Sequence, residues 1–440
     1  MARRRTTNSQ VPAPSLELPE PELVVIVSPE AGVRSTPDGL AAANADTKPI
    51  ETAIGARASM VPLFGLSEDR LQYEASSVAA YTGESVPDLS VYYRVEAPGR
   101  DLDKLAAELA GTEAVVAAYV KPPAEPPQLN DMAPAAEDAP PVTPDFIARQ
   151  LYLEVAPGGV DARYAWTIPG GRGAGVRIID VEGAWRFTHE DLLANQGGVI
   201  GGTQSADIGW RNHGTAVVGE FGGVVNAFGI TGICPDANVR AISIFGPGMG
   251  SAAAIRQAAN ALNAGDIILI ELHRPGPRFA FMSRADQLGY IAVEWWPDDF
   301  AAIQFATGKG VIVVEAGGNG AENLDDVLYN TPGPGFPAGW TNPFNRANRD
   351  SGAIIVGAGA PPPGTHGRDH GPDRSRLGFS NFGSSVDAQG WGRGYGALSS
   401  VWSPSRRPDW SAPCQRIGNT RRKSCTRSSS AGSRRCPGAF

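Results

Sequence analysis

Cysteine is almost absent from the first 400 residues. Cys234 stands alone there, and Cys414, Cys425 and Cys436 all lie in the last forty. A body held together by disulfides is excluded, and without a Cys-x-x-Cys pair so is the common zinc framework. Histidine is scarce too: five in 440 residues, at 189, 213, 273, 366 and 370. An imidazole general base therefore has only five addresses. His366 and His370 have ligand-like spacing, but they sit among Gly, Arg and Asp without a third ligand and read as a solvated loop. Long apolar runs are missing. Nothing approaches the ~20 residues needed to span a bilayer, and the first apolar run, residues 23–27, is too short for the core of an export signal. No membrane partner is expected, and the default compartment is the cytoplasm. A basic stripe is missing as well. The net charge is −8, and positive charge gathers in residues 401–440, where nine basic residues face one acidic residue. The acidic body excludes nucleic acid as a partner.

What is present suits two or three globular units: 42% hydrophobic and 19% charged residues over 440 positions, with 54 glycines and 37 prolines for turns and linkers. Residues 1–20 are polar and proline-rich and read as disordered. Residues 21–121 read as a small α/β unit of βαβ type. Strand-like runs fall at 23–27, 89–95 and 114–120, and Leu102, Leu105 and Leu109 recur at helical spacing. Residues 122–146 form a linker with eight prolines between 122 and 144. In residues 147–398 the apolar runs 176–179, 239–244, 267–272, 311–314 and 353–356 alternate with helical patterns such as the Ala-rich 251–264. Strands without polar alternation predict a parallel sheet covered by helices on both faces. Beyond about residue 398, Ser, Arg, Cys and Pro dominate and apolar periodicity stops.

Three short motifs carry chemistry. Asp180 closes the apolar run Val176-Arg177-Ile178-Ile179 and precedes Gly183, at the carboxyl edge where doubly wound sheets build sites. Alone, an Asp after a strand reads as a turn residue or helix cap. Asn212-His213-Gly214-Thr215 opens an apolar helix pattern, and alone His213 reads equally as a backbone-bonded core histidine. The run Val311–Val314 ends in Glu315-Ala316-Gly317-Gly318-Asn319-Gly320, a turn that presents one amide; alone, Asn319 reads as a left-handed turn residue.

Together, and with Gly378-Phe379-Ser380-Asn381-Phe382-Gly383 downstream, these motifs resemble the subtilisin-like serine proteases, the subtilases. The resemblance covers residues 147–398 and implies a subtilisin-like α/β fold that hydrolyses peptide bonds in polypeptide substrates. By that resemblance Asp180 orients His213, His213 is the general base for a serine hydroxyl, and Asn319 completes an oxyanion hole. The order Asp, His, then Ser is that family's order. Residues 21–121 look like the family's N-terminal propeptide, an intramolecular inhibitor whose linker passes near the cleft. Family membership also implies that secretion is open and that calcium is a common structural ion, although no calcium ligand set is legible and no cofactor is assigned.

Two departures stand out. Val181 and Glu182, where the family has a small residue, separate Asp180 from Gly183. The family's Gly-Thr-Ser-x-Ala-x-Pro nucleophile motif is absent, and Ser429 in Thr426-Arg427-Ser428-Ser429-Ser430-Ala431 is the nearest, weak candidate. Residues 399–440 read as a disordered or frame-shifted tail. With no apolar stripe in 401–440, the core near Val176, Val313 and Val356 is expected to stay partly uncovered. The leading reading is a serine endopeptidase lacking its serine motif. The alternative is an inactive pseudoprotease that binds peptides in the retained cleft.

Overall fold

The computed structural model describes residues 16–127, 145–194 and 196–393. The N-terminal unit is a four-stranded sheet built from β1 (Glu22–Val27), β2 (Ser59–Pro62), β3 (Tyr92–Glu96) and β4 (Val115–Lys121) in the order β2-β3-β1-β4. Helices α1 (Glu68–Thr82) and α2 (Leu102–Leu109) accompany it, with a shorter helix over Lys48–Ile54. Strands β3 and β4, joined through α2, both run antiparallel to β1. The βαβ pattern of the sequence is therefore a split one, with β1 inserted between its two strands. Alternation along β1 explains why the whole strand is buried. Leu23, Val25 and Val27 face the unit's own core with Leu102, Leu105 and Leu109. Val24 and Ile26 face the larger domain.

That larger domain is a seven-stranded, all-parallel sheet. Its strands are β5 (Arg177–Glu182), β6 (Gln196–Gly201), β7 (Asn238–Ser243), β8 (Ile267–Ile270), β11 (Ile312–Ala316), β12 (Ile354–Gly359) and β13 (Val386–Trp391). A separate hairpin pairs β9 (His273–Pro275) with β10 (Tyr290–Ala292). Helices α3 (Ile208–Gly222), α4 (Ser251–Ala261) and α5 (Pro297–Gly308) cover the sheet. The order β13-β12-β11-β8-β5-β7-β6 puts β5 at the point where the strand sequence reverses, with β7 on one side and β8 on the other. Sites of doubly wound sheets form at the carboxyl end of such a strand. Among the described residues no helix is long and apolar enough to cross a membrane.

Each sheet face has its own core. Ile179, Val181, Ile268 and Val313 pack with α4 and α5, and the N-terminal unit seals this layer with Val24, Ile26, Ala117 and Tyr119. Ile178, Leu269, Val314 and Val356 pack with α3 and with Tyr152 and Leu153. Val313 and Val356 are thus fully covered, contrary to the expectation of an open core; helices α4 and α5 and the segment around Tyr152 cover them, while Val176 is half-buried.

Two expected boundaries shift. Residues 16–20 are not a free arm: the Glu17 backbone donates to Asp207 at 3.0 Å and accepts from Trp210 Nε1 at 2.6 Å, so it packs on the start of α3. The first residues of the expected linker, 122–127, are largely buried against the larger domain. Residues 1–15, 128–144 and the tail 399–440 lie outside the described residues, as do Cys414, Cys425 and Cys436.

Candidate active site

The site grows from the last residues of β5. Because strand side chains alternate, Asp180 and Glu182 share the sheet face that α3 covers. Asp180 lies mid-strand, in register with Ala241 of β7 and Leu269 of β8, and is completely buried. Its Oδ2 accepts from Trp185 Nε1 at 2.6 Å. Glu182 is one residue pair further out, at the strand end, and both its carboxylate oxygens lie 2.9 Å from Nδ1 of His213. The acid that holds the imidazole is therefore Glu182, and Asp180, expected in that role from the sequence, holds Trp185 instead. A two-residue spacing on one strand face leaves both acids eligible, and only the placement of α3 chooses between them.

Helix α3 is positioned by local chemistry. The Asp207 carboxylate caps it, accepting from Gly209 N at 2.6 Å. A Cβ on Gly214 would sit 2.4 Å from the Ala184 carbonyl, so glycine there lets the helix close on the loop after β5. Thr215 Oγ1 accepts from Arg186 N at 2.9 Å and pins that loop. The His-Gly-Thr motif thus supplies an imidazole, a close approach and an anchor in three consecutive residues.

Asn319 follows β11 on the neighbouring loop and is nearly buried. Gly318 adopts φ +99°, open to glycine at little cost. Asn381 holds the loop from below: its Nδ2 donates to the Tyr290 and Gly317 carbonyls at 2.7 Å each, its N donates to Gly318 at 3.0 Å, and its Oδ1 accepts from Glu322 N at 2.8 Å. That is the structural use of the Phe-Ser-Asn-Phe-Gly run. Asn319 N in turn donates to Nδ1 of His273 at 3.2 Å.

His273 and Arg274, which the sequence does not single out for a role, lie against the chain's own residues 122–127. His273 and Glu125 exchange backbone hydrogen bonds of 3.0 and 3.1 Å as one antiparallel bridge. Arg274 donates to the Pro122 carbonyl, and Gln287 Nε2 donates to that of Pro126 at 3.0 Å. Upstream, the fully buried Lys121 ammonium is held by Asp298, by Asp299 at 3.6 Å and by Glu22 at 3.2 Å. The carboxylates of Asp298 and Asp299 belong to the first turn of α5.

Burial dominates the electrostatics. It pushes the His213 imidazole down to about 4, against the charge of Asp180 and the Pro127 carbonyl, which favour protonation. It lowers His273 to about 3, helped by the nearby His213. The same desolvation pushes Glu182 well above the usual carboxylate range; Asp180 rises with it, through burial and then the charge of Glu182. Glu271 is raised by burial and then by Glu182, Glu220 and Asp180. Nε2 of His213, the nitrogen opposite Glu182, makes no hydrogen bond among the described residues. Ser429 lies outside them. Among the described residues no group of three or more His, Cys, Asp or Glu is arranged to hold a metal ion.

A carboxylate–imidazole pair at the switch point of a parallel sheet, with an amide-bearing turn two strands away, is the architecture of a subtilisin-like α/β domain. Residues 196–392 match the family model described as the Subtilase family. Strand β5, with Asp180 and Glu182, lies just outside the matched stretch. Thermitase of Thermoactinomyces vulgaris is 28% identical over 218 residues, covering 48% of this chain and 66% of that protein. Alkaline elastase YaB of Bacillus sp. (strain YaB) is 28% identical over 222 residues, covering 49% and 45%. The chain thus spans about half to two thirds of the length of these curated relatives. Among solved structures, the nisin leader peptidase NisP of Lactococcus lactis aligns with a TM-score of 0.37 at 21% identity, over 57% of this chain and 70% of that one. The epidermin leader peptide processing protease EpiP of Staphylococcus aureus aligns at 0.41 and 16%, over 85% and 76%.

Proposed function

We propose that this chain is a serine endopeptidase of the subtilase class in a self-occupied form, with Glu182 in the orienting role. The observation that carries the reading is the approach of both Glu182 oxygens to Nδ1 of His213. With Nδ1 committed to the carboxylate, Nε2 is the nitrogen left to take a proton from a nucleophilic hydroxyl and return it to the leaving amine. Asn319 supplies an amide to the oxyanion that develops on the attacked carbonyl. The nucleophile comes from the segment after Arg393, in which Ser429 is the candidate. The N-terminal unit acts as an intramolecular inhibitor by laying residues 122–127 along His273, as a polypeptide substrate would lie.

A fluorophosphonate probe tests this directly, because only an activated serine is labelled. Labelling that disappears in His213→Ala and in Ser429→Ala is the expected result. Labelling lost in His213→Ala but retained in Ser429→Ala moves the nucleophile elsewhere. A chain that is never labelled, even after residues 16–127 are removed by proteolysis, is a peptide-binding relative without hydrolysis.

A further inference from the structure

The side chain of Glu125 does not point to solvent. It is 6% exposed, and its Oε1 accepts from Tyr290 Oη at 2.7 Å and from Ser283 Oγ at 3.2 Å. Tyr290 is fully buried and its hydroxyl is itself fixed, accepting from Arg284 N at 2.9 Å. Gln287, 2% exposed, caps the adjoining Pro126 carbonyl. The loop between β9 and β10 that carries Ser283 and Gln287 holds three non-glycine residues in left-handed conformations: Ala280 at φ +52°, Phe281 at +60° and Gln287 at +51°. Such backbone is costly for L-residues and persists where surroundings impose it. Among the described residues no salt bridge to Glu125 is formed; Arg284, on the same loop, is paired with Asp286 at 2.6 Å. The carboxylate is read by hydroxyl donors in a dry setting, where hydrogen bonds to a charged acceptor discriminate strongly.

We infer that Tyr290 and Ser283, on the β9–β10 loop, form a specificity subsite for a glutamate side chain, so that the cleft selects polypeptides carrying glutamate at the position bridged to His273. Residues 122–127 hold the cleft because they carry that glutamate. This inference rests on the reading of the cleft as a polypeptide site and adds the chemistry of one side chain to it. Arg274 takes a backbone carbonyl and would accept any sequence; Tyr290 and Ser283, with Gln287 beside them, touch the glutamate side chain and would not.

The test uses the full chain carrying Glu125→Ala, which weakens the internal occupant. A fluorescein-labelled heptapeptide Lys-Pro-Pro-Ala-Glu-Pro-Pro is titrated against it by anisotropy, beside the same peptide with alanine in place of glutamate. The glutamate peptide is expected to bind at least about tenfold more tightly. Adding Tyr290→Phe, with Ser283→Ala as a second and smaller change, is expected to shrink that ratio to about twofold while the unfolding temperature stays within a few degrees. If both peptides bind equally before Tyr290 is changed, the glutamate subsite is refuted and the polypeptide cleft stands. If neither peptide binds, the cleft reading falls and takes the subsite with it.

Discussion

Glu182 reaches Nδ1 of His213 with both carboxylate oxygens at 2.9 Å, whereas Asp180, two residues back on the same strand face, is spent on the Trp185 indole. Removing charge from each acid in turn separates their duties. Glu182→Gln is expected to cut the rate of fluorophosphonate labelling by about 10³–10⁴-fold, because an amide can stabilise the wrong imidazole tautomer. Asp180→Asn, which leaves an oxygen for Trp185, is expected to change it by no more than about threefold. Equal losses in the two variants would return the orienting role to Asp180.

Lys121 joins the N-terminal unit to the larger domain through a buried ammonium among three carboxylates. Lys121→Met leaves Asp298 and Asp299 side by side without that cation, a loss of the kind that costs about 3–5 kcal/mol. The N-terminal unit is expected to become sensitive to limited proteolysis at low protease while the larger domain stays intact, and adding Asp298→Asn should recover part of the protection. An unchanged digestion pattern in Lys121→Met would deny the buried ammonium its docking role.

Stability should fall as pH rises from 6.5 to 8.5. Burial raises Glu294 to about 7 and lifts Glu271 and Glu315, outside the Glu182–His213 pair, well above their usual range. In that window the folded chain holds protons that the unfolded chain, with carboxyls near 4, has released, so unfolding gains as pH rises. His213 and His273, lowered to about 4 and about 3, act in the opposite sense but only below about 6.5, where an unfolded imidazole takes up a proton. A drop in unfolding temperature of at least about 4 °C across the window is expected in a circular-dichroism melt. Glu294→Gln should flatten its neutral portion.

Asn381 supports the Asn319 turn from four directions. Asn381→Ala is expected to lower the unfolding temperature by several degrees, consistent with about 2–4 kcal/mol for a lost buried network. It should also reduce labelling by at least about tenfold, although Asn381 itself touches no substrate. Asn319→Ala is expected to cost activity by about 10²–10³-fold with little change in stability. The two variants should therefore part on a melt while agreeing in direction on activity.

The sheet was legible because buried parallel strands are runs of Val and Ile, and 176–179, 239–244, 267–272, 311–314 and 353–356 each became, or lie across, a strand of the observed sheet. His213 and Asn319 were legible because glycines mark where backbone must approach closely, as at Gly214 and Gly318. Glu182 was missed since strand periodicity makes residues i and i+2 equivalent, and the sequence carries no record of which one meets a helix thirty residues away. Residues 122–127 were read as spacer because proline content reports chain stiffness, not destination. Their burial depends on His273, Arg274 and Gln287, about 150 residues downstream.

Four of the six residues from Pro122 to Pro127 are proline, and a proline has no N–H to give. The occupant of the cleft can donate from its backbone only at Ala124 and Glu125, and the Glu125 amide is already used on His273. A ladder cannot propagate from a single rung. The rings also fix φ beforehand, so little backbone freedom is lost on seating. Such a segment enters quickly and leaves without unzipping a strand, which makes its residence time a property of the Glu125 side chain and the Lys121 ammonium more than of the backbone between them.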